Sequence, residues 1–418
     1  MKKIVIIGAG AAGLMAAYSA SQNLDKNECE ITVVEKNSRP ARKVMITGKG
    51  RCNVTNNTDL NGLVNAVTGN GRFMYSAFSN FTSQDTMSFF ENNGVPLKTE
   101  RGNRVFPESD KASDIVDALV RAVRDIGVKV VQERVTELLC DNGAVAGVRC
   151  ESGRELSADC VIVATGGLSY PLTGSTGDGY DLAKSVGHTV TELRPSLVPV
   201  NVAEGWCFDA QGLGLKNIGI SVFKDKSGKP VYTDFGELMF THYGLSGPVI
   251  LSASAYIKEP ESGEYRVVID LKPALSEEKL DERLLRDFEA NKNKAFINSL
   301  GELLPRKLIP IIVKLSKIEP GVKVNQITRE QRQGLVKLLK NLTLTVTGFR
   351  PIDEAIVTKG GVLLSEINPK TMESKIVSGL YFAGEVLDVD AFTGGFNLQI
   401  AFSTGYSAGE SASGNIKY

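Results

Sequence analysis

Apolar and polar positions set up a pattern near the start of the chain that gives way mid-chain and later resumes. Residues 3–7 are a β-branched run with no helical period, which predicts a buried strand. Residues 11–21 are mostly small, with Leu14 and Met15 among them, as suits a helix lying close against a sheet. Residues 30–35 predict a second strand ending in an acid, Glu35. Helical spacing recurs over 83–92, closed by Gly94, and over 112–126, where Ile115, Ala118, Leu119 and Ala122 share a face. Residues 102–109 read as a turn-rich segment. Strands follow at 128–132, 136–140 and 144–150, with Asp141, Asn142 and Gly143 as a hairpin turn. A further buried strand at 159–165 stops at Gly166 and Gly167. A helix over 180–186 starts behind Thr176-Gly177-Asp178-Gly179, where Asp178 either caps the helix or faces a ligand.

At Pro195 the pattern changes. From 196 to 271 short strands alternate with glycine turns, including 218–223, 231–233 and 265–270. Segments 276–316 and 328–339 carry Leu and Ile at helical spacing. From about 344 the first pattern returns, with an apolar run at 355–358 and a buried strand at 379–383. Thr393-Gly394-Gly395 opens a last helix through Ala412. The implied organisation is an α/β domain of residues 1–193 and 345–418, interrupted by an insert over 194–344. The insert has a β part at about 195–272 and a helical part at about 276–340.

Glycines give the first domain its chemistry. Gly8, Gly10 and Gly13 follow the first strand in G-x-G-x-x-G spacing. Gly8 permits a tight turn, Gly10 lets backbone approach a pyrophosphate, and Gly13 lets the helix press on the strand. The helix N-terminus offers unpaired N–H groups to phosphates, and Glu35 can accept hydrogen bonds from ribose hydroxyls. Residues 36–57 have no apolar period and interleave Gly48 and Gly50 with Arg39, Arg42, Lys43, Lys49 and Arg51. Such a loop is expected to lie along a cofactor.

Composition narrows the partners. With 48 basic and 48 acidic side chains the net charge is zero, which supplies no overall field for nucleic acid or an anionic membrane and leaves room only for a local patch. No apolar run is long enough for a membrane span. Lys2 and Lys3 before an apolar stretch imitate a signal peptide, but three glycines interrupt it. None of Cys29, Cys52, Cys140, Cys150, Cys160 and Cys207 forms C-x-x-C, and His188 and His242 are the only histidines, so no metal site is expected. Cys29, Cys140, Cys150 and Cys160 lie in or beside predicted strands and are expected to be buried. A reducing, cytoplasmic setting fits this cysteine usage.

GAGAAG with Glu35, ATGG at 164–167 and GLYFAGE at 379–385 together resemble FAD-dependent oxidoreductases of the two-dinucleotide-binding-domain type. More closely, the chain resembles the BaiN/RdsA-like (YhiN-like) family of NAD(P)/FAD-dependent oxidoreductases. The matching stretches are GKGRCNVTN at 48–56, SYPLTGSTGDGYDLAKSVGH at 169–188, FTHYGLSGP at 240–248, NPKTMESK at 368–375 and TGGFNLQIAFSTG at 393–405. The resemblance implies a Rossmann-like FAD-binding domain of glutathione-reductase type, split by an insert with a β-barrel-like part and a helical part. It also implies tightly but non-covalently bound FAD, with NAD(P)H as a transient reductant. Gly8, Gly10, Ala12 and Gly13 would hold the pyrophosphate, and Glu35 with Lys36 the adenine ribose side. Arg42 and Gly50, Arg51, Cys52 and Asn53 would lie along the pyrophosphate and flavin. Val135 would meet the adenine, and Thr165 and Gly166 the cofactor's flank. Gly384, Glu385 and Asp388 would meet ribityl and phosphate groups, with Gly395, Asn397 and Leu398 at the flavin.

The implied activity passes hydride from NAD(P)H to the flavin and on to an unsaturated, enone-like small molecule. Gly174, Gly177 and Gly179 do not directly follow a strand, so there is no second dinucleotide fingerprint for NAD(P)H. Alkene reduction needs a proton donor. His242 and Tyr243 are candidates, although His242 also reads as a structural histidine, and Tyr170 reads as packing. Cys52 lacks a partner cysteine for redox work. Two rival classes stand beside this one: a tRNA-modifying flavoprotein, which the zero net charge disfavours, and a flavin-binding regulatory protein without turnover. The substrate, the choice of NADH or NADPH and the oligomeric state carry no residue-level signal.

Overall fold

Strand β1 (Lys2–Ile7) is the middle of a five-stranded parallel sheet in the computed structural model, which describes residues 1–22, 29–225 and 228–414. On one side lie β2 (Cys29–Glu35) and then β3 (Lys129–Gln132); on the other lie β4 (Cys160–Val163) and then β5 (Leu380–Phe382). Ile4 pairs with both Ile31 and Cys160. Ile4, Ile6, Val33, Val161 and Phe382 are fully buried. A parallel strand covered on both faces reads as a continuous apolar run, which is why these segments show no alternation.

Helix α1 (Ala11–Ser21) follows β1 and is buried along most of its length. The last helix packs directly on it. We number the helices used below α2 (Arg42–Ile46), α3 (Ala112–Asp125), α4 (Asp178–Ser185) and α5 (Phe396–Ser413). A methyl group at Gly405 would overlap the Ala12 carbonyl oxygen, and one at Gly409 the Ala16 carbonyl oxygen. The two helices therefore meet backbone to backbone. Gln399 of α5 is fully buried and fully used. Its Oε1 accepts from Thr55 Oγ1 at 2.5 Å and Thr86 Oγ1 at 2.9 Å, and its Nε2 donates to the Phe81 carbonyl and Ser403 Oγ.

Several sequence expectations change here. Segment 102–109 is not merely turns: Leu97–Glu100 and Arg104–Pro107 form a hairpin around a turn where Asn103 has a φ of 57°. Val105 and Phe106 are buried, so their apolar character reports a strand. The strands at 136–140 and 144–150 form the expected hairpin, and Glu155–Ser157 adds a third strand to their antiparallel sheet. Cys140 is exposed, not buried, because it sits on an open face of that sheet; Cys29 is half-buried, and Cys150 and Cys160 are buried.

The contacts divide the chain into Met1–Ser196 with Ile352–Tyr418, and Leu197–Pro351. The second unit contains a closed antiparallel barrel. Its strands run Val200–Val202, Gly244–Ser246, Tyr232–Phe240, Gly214–Lys224, Tyr265–Asp270 and Leu342–Phe349, and the last pairs again with the first. Its helical part is not continuous over 276–316: helices Glu277–Ala290 and Ile309–Ser316 are separated by turns, and Arg329–Lys340 follows. Ser276 caps the first of these, and Thr328 with Gln331 forms a capping box on the last. No helix among the described residues is long and apolar enough to cross a membrane.

His188 closes the link between α4 and the later part of the first unit. Its Nδ1 faces Glu366 Oε2 at 3.0 Å and its Nε2 faces Ser374 Oγ at 2.9 Å. Ser374 Oγ already accepts from the N–H groups of Ile376 and Val377, so its proton is directed to Nε2. Burial holds the imidazole below its ordinary value, against the opposing pull of Glu366. A base whose folded value is depressed contributes full stability above its unfolded value near pH ~6.5 and loses it as pH falls toward the folded value. The urea midpoint of the wild type should therefore drop more between about pH 7.5 and about pH 5.5 than that of His188→Gln. Gly405→Ala tests the helix contact. Helix propensity favours alanine by about 1 kcal/mol, but overlap with Ala12 should win and destabilise the protein by about 1–3 kcal/mol in urea unfolding.

Candidate functional site

The carboxyl ends of the parallel strands open into a cleft, the usual ligand position in open α/β sheets. Gly8 has a φ of 102°, and a side chain there would press on the Ala164 carbonyl after β4. A methyl group at Gly13 would overlap the Gly8 carbonyl oxygen, so only glycine brings α1 this near the turn. Gly10 differs: its φ of −82° suits any residue, and an added methyl would meet nothing within 4 Å. That open space belongs to the cleft, which Gly8, Gly10 and Ala12 line together with Ala11 at the start of α1.

Glu35 ends β2 and is 8% exposed. Its Oε2 accepts from the Ala9 N–H at 2.7 Å, and its Oε1 accepts from the Asn37 backbone N–H at 2.8 Å and Asn37 Nδ2 at 2.7 Å. The carboxylate thus ties the second strand to the glycine turn before any ligand arrives. Lys36 donates to Asp178 Oδ2 at 2.7 Å and Thr176 Oγ1 at 2.5 Å, and Arg134 also pairs with Asp178. Burial alone would raise the Asp178 carboxyl, but Arg134 and Lys36 outweigh it and hold it below the usual range. Asp178 is therefore not the cap of α4. Gly177 takes the N-cap position, and the Asp178 side chain turns to the two cations. Val135 lines this same side of the cleft.

The opposite side is built after β4 and β5. Thr165, Gly166, Gly384 and Glu385 line it, as do Asn397 and Leu398 at the start of α5. Thr165 Oγ1 is buried without a hydrogen-bond partner. Asn397 holds the preceding loop, with Oδ1 accepting from the Ala391 N–H at 2.9 Å and Nδ2 donating to the Ala391 carbonyl at 2.7 Å. The Gly384 N–H donates to Thr404 Oγ1 at 2.9 Å, which joins β5 to α5. From Glu35 after β2 to Glu385 after β5 the cleft crosses three inter-strand steps, roughly 14 Å at about 4.8 Å per step.

Arg42 lines the cleft and donates to Asn37 Oδ1 at 3.1 Å. The following loop is placed differently from the residues around it. Gly50, Arg51, Cys52 and Asn53 lie outside the lining. The Arg51 guanidinium is committed to Glu100 and Asp110 and sits 4.1 Å from the Phe106 ring centre. Cys52 is fully buried with a φ of 59°, and burial pushes its thiol up to about 12, which leaves it inert as a thiolate. Asn53 Oδ1 is buried and unpartnered. Asp388 is half-buried, raised above the usual carboxylate range by burial, and outside the lining. Gly395 lies against the Thr55 backbone. His242 and Tyr243 belong to the second unit: His242 is exposed, its ring centre is 4.8 Å from that of Tyr243, and Arg350 stands 4.5 Å over the Tyr243 ring.

Sequence reasoning counted Lys43 only as one cation of a basic loop. The structure places its Nζ 2.6 Å from both Glu385 Oε2 and Ser169 Oγ. Nothing local in the sequence signals a contact between residues 342 positions apart.

A family model for the HI0933-like protein Rossmann domain matches residues 2–411. The chain belongs to the HI0933-like family. Its relatives include a 3-dehydro-bile acid delta(4,6)-reductase of Clostridium scindens, 31% identical over 99% of both chains. A ribosomal RNA dihydrouridine synthase of Escherichia coli is 31% identical over 97% of this chain and 96% of its own. One of Haemophilus influenzae is 32% identical over 98% of both. Among solved structures, a 3-ketosteroid delta1-dehydrogenase of Sterolibacterium denitrificans matches at TM-score 0.54 and 12% identity over all of both chains. E. coli quinol fumarate reductase FrdA matches at 0.52 and 19%, over 99% of this chain and 71% of that one. These two likenesses concern the fold, a Rossmann-type FAD-binding domain carrying an insert. The HI0933-like family is one of flavin oxidoreductases.

The cleft fits the cofactor that this family fold implies. It offers an open position over Gly10, a helix N-terminus, an orphaned hydroxyl at Thr165 and an acid already oriented at Glu35. Gly10→Ala should leave urea stability within about 1 kcal/mol, since its Cβ enters open space and only the N-cap preference for glycine is lost. FAD retention should weaken at least about tenfold, about 1.4 kcal/mol, in equilibrium dialysis. Unchanged retention would place the cofactor elsewhere.

Proposed function

We propose that this protein is an FAD-dependent reductase that takes hydride from NAD(P)H and saturates a carbon–carbon double bond conjugated to a carbonyl. The observation that carries this is one cleft running from the ribose-type acid Glu35, past the N-terminus of α1, to Glu385. Bound FAD would supply the two-electron carrier. Glu35 and Lys36 would hold the adenine ribose side, with Val135 beside the base. The N–H groups of Ala11 and Ala12 would donate to the phosphates and Arg42 would offset their charge, and Glu385 would orient ribityl hydroxyls. The N-terminus of the 18-residue α5 adds partial positive charge at its end of the cleft. The stoichiometry is NAD(P)H, one proton and the alkene giving NAD(P)+ and the saturated product. His242 and Tyr243 are proposed to hold that proton, with Arg350 over the Tyr243 ring. All six cysteines are free, in keeping with the proposed cytoplasmic location.

A second reading concerns the substrate. A uridine base carries its double bond beside a carbonyl, as a 3-oxo-4-ene does, so the names of the bile-acid and rRNA relatives describe one bond chemistry on different carriers. Those relatives reopen the exclusion of nucleic acid drawn from net charge, because zero total charge does not preclude a local cationic track. The tRNA and non-catalytic readings have no comparable observation behind them.

Stopped-flow mixing with NADH and with NADPH should bleach the flavin absorbance, and bleaching by neither would sink the NAD(P)H reading. Pre-reduced enzyme should then be reoxidised by a cyclic enone, an unsaturated acid or unmodified ribosomal RNA. Reoxidation by RNA alone, weakening steeply with salt, would select the second reading.

A further inference from the structure

Lys43 lines the cleft beside Glu385, and the reading above gives its cation no role. Ala41, held left-handed at a φ of 52°, donates its N–H to the Ala9 carbonyl at 2.8 Å and so fastens the start of α2 to the glycine turn. Two residues later the Lys43 ammonium reaches Glu385 Oε2 and Ser169 Oγ, both at 2.6 Å. The other carboxylate oxygen, Oε1, accepts from Ser169 Oγ at 2.9 Å and from the Thr358 N–H at 2.9 Å. Glu385 is thereby fixed at both oxygens, and the ammonium donates to two acceptors among the described residues. The Lys43 and Glu385 side chains are 24% and 16% exposed, and both line the cleft.

Two features make this more than a surface ion pair. Partly desolvated charges gain little stability from pairing, so their presence in a ligand cleft calls for a role beyond folding. The pair also lies on the β5 side of the cleft, three strands from Glu35, where the redox half of a dinucleotide anchored at Glu35 would lie. Charge placed beside a flavin shifts how readily it accepts electrons.

We propose that Lys43 is a positioning residue of the redox end. Through Glu385 and Ser169 its cation is held in place to favour the more negative, reduced form of the cofactor. This rests on the FAD reading.

The test uses the full-length protein, purified with FAD, and the variants Lys43→Met, Lys43→Arg and Glu385→Gln. FAD content is read from the absorbance spectrum and the midpoint potential from dye equilibration. Lys43→Met should retain FAD, while the reduced form is disfavoured about tenfold, a potential lower by about 30 mV for a two-electron couple. Lys43→Arg should keep most of the wild-type potential, and Glu385→Gln, which removes the negative partner, should shift it the opposite way. An unchanged potential in Lys43→Met overturns the proposal. So do shifts in the same direction for Lys43→Met and Glu385→Gln, which would mark a structural disturbance. Loss of FAD from Lys43→Met but not Lys43→Arg would make Lys43 a binding residue only and likewise overturn it. A wild type that holds no FAD would instead fail the cofactor reading itself, and the inference with it.

Discussion

How near α1 can come to the turn before it and to α5 behind it decides the rest of the first unit. Gly13 allows the helix to touch the Gly8 carbonyl, and Gly405 and Gly409 allow α5 to touch the Ala12 and Ala16 carbonyls. With β carbons at these positions the helix would stand off the sheet, and its N-terminus would no longer face the strand ends. The same approach buries α1 almost entirely, which explains why it carries alanines and not an amphipathic stripe. Cleft geometry and core packing are one constraint here, because the backbone that makes the core tight also lines the site.

Charge is managed differently at the two sides of that cleft. On the β2 side Glu35 is held by backbone and amide donors, while the cations Lys36 and Arg134 are drawn off to Asp178. Glu35 is thus held by neutral donors and not by a cation. On the β5 side the acid Glu385 is paired with a cation. The two acids lining the cleft therefore differ in electrostatic setting: one is held by neutral donors, the other beside a full cation.

The family relatives span a sterol-type carrier and a ribosomal RNA at nearly equal identity. Near-equal likeness to both fits a division of labour in which the cofactor cleft is common and substrate choice lies elsewhere. The second unit has its own barrel and helical core, and it carries the exposed His242 edge-on to Tyr243.

Local physics made much of this legible from sequence. Strand runs, the helix at 11–21, the G-x-G-x-x-G turn, the terminal acid Glu35 and the return of a parallel strand near 380 all depend on spacing within a few tens of residues. Those spacings have steric and hydrogen-bonding meaning without any partner, and the insert appeared as a change of period. The rest required distant residues to meet. That Glu155–Ser157 joins the hairpin of Val135–Asp141 and Ala144–Cys150 was set by pairing partners, not by strand propensity. Between capping α4 and facing the cleft, Asp178 lines the cleft, because Lys36 and Arg134 offer full charges where a helix end offers partial ones. Lys43 met Glu385 across 342 positions, and Gln399 gathered Thr55 and Thr86 from across the chain. Such contacts leave no periodicity in a one-dimensional pattern, since each is set by how β4, β5 and α5 fold back onto β1.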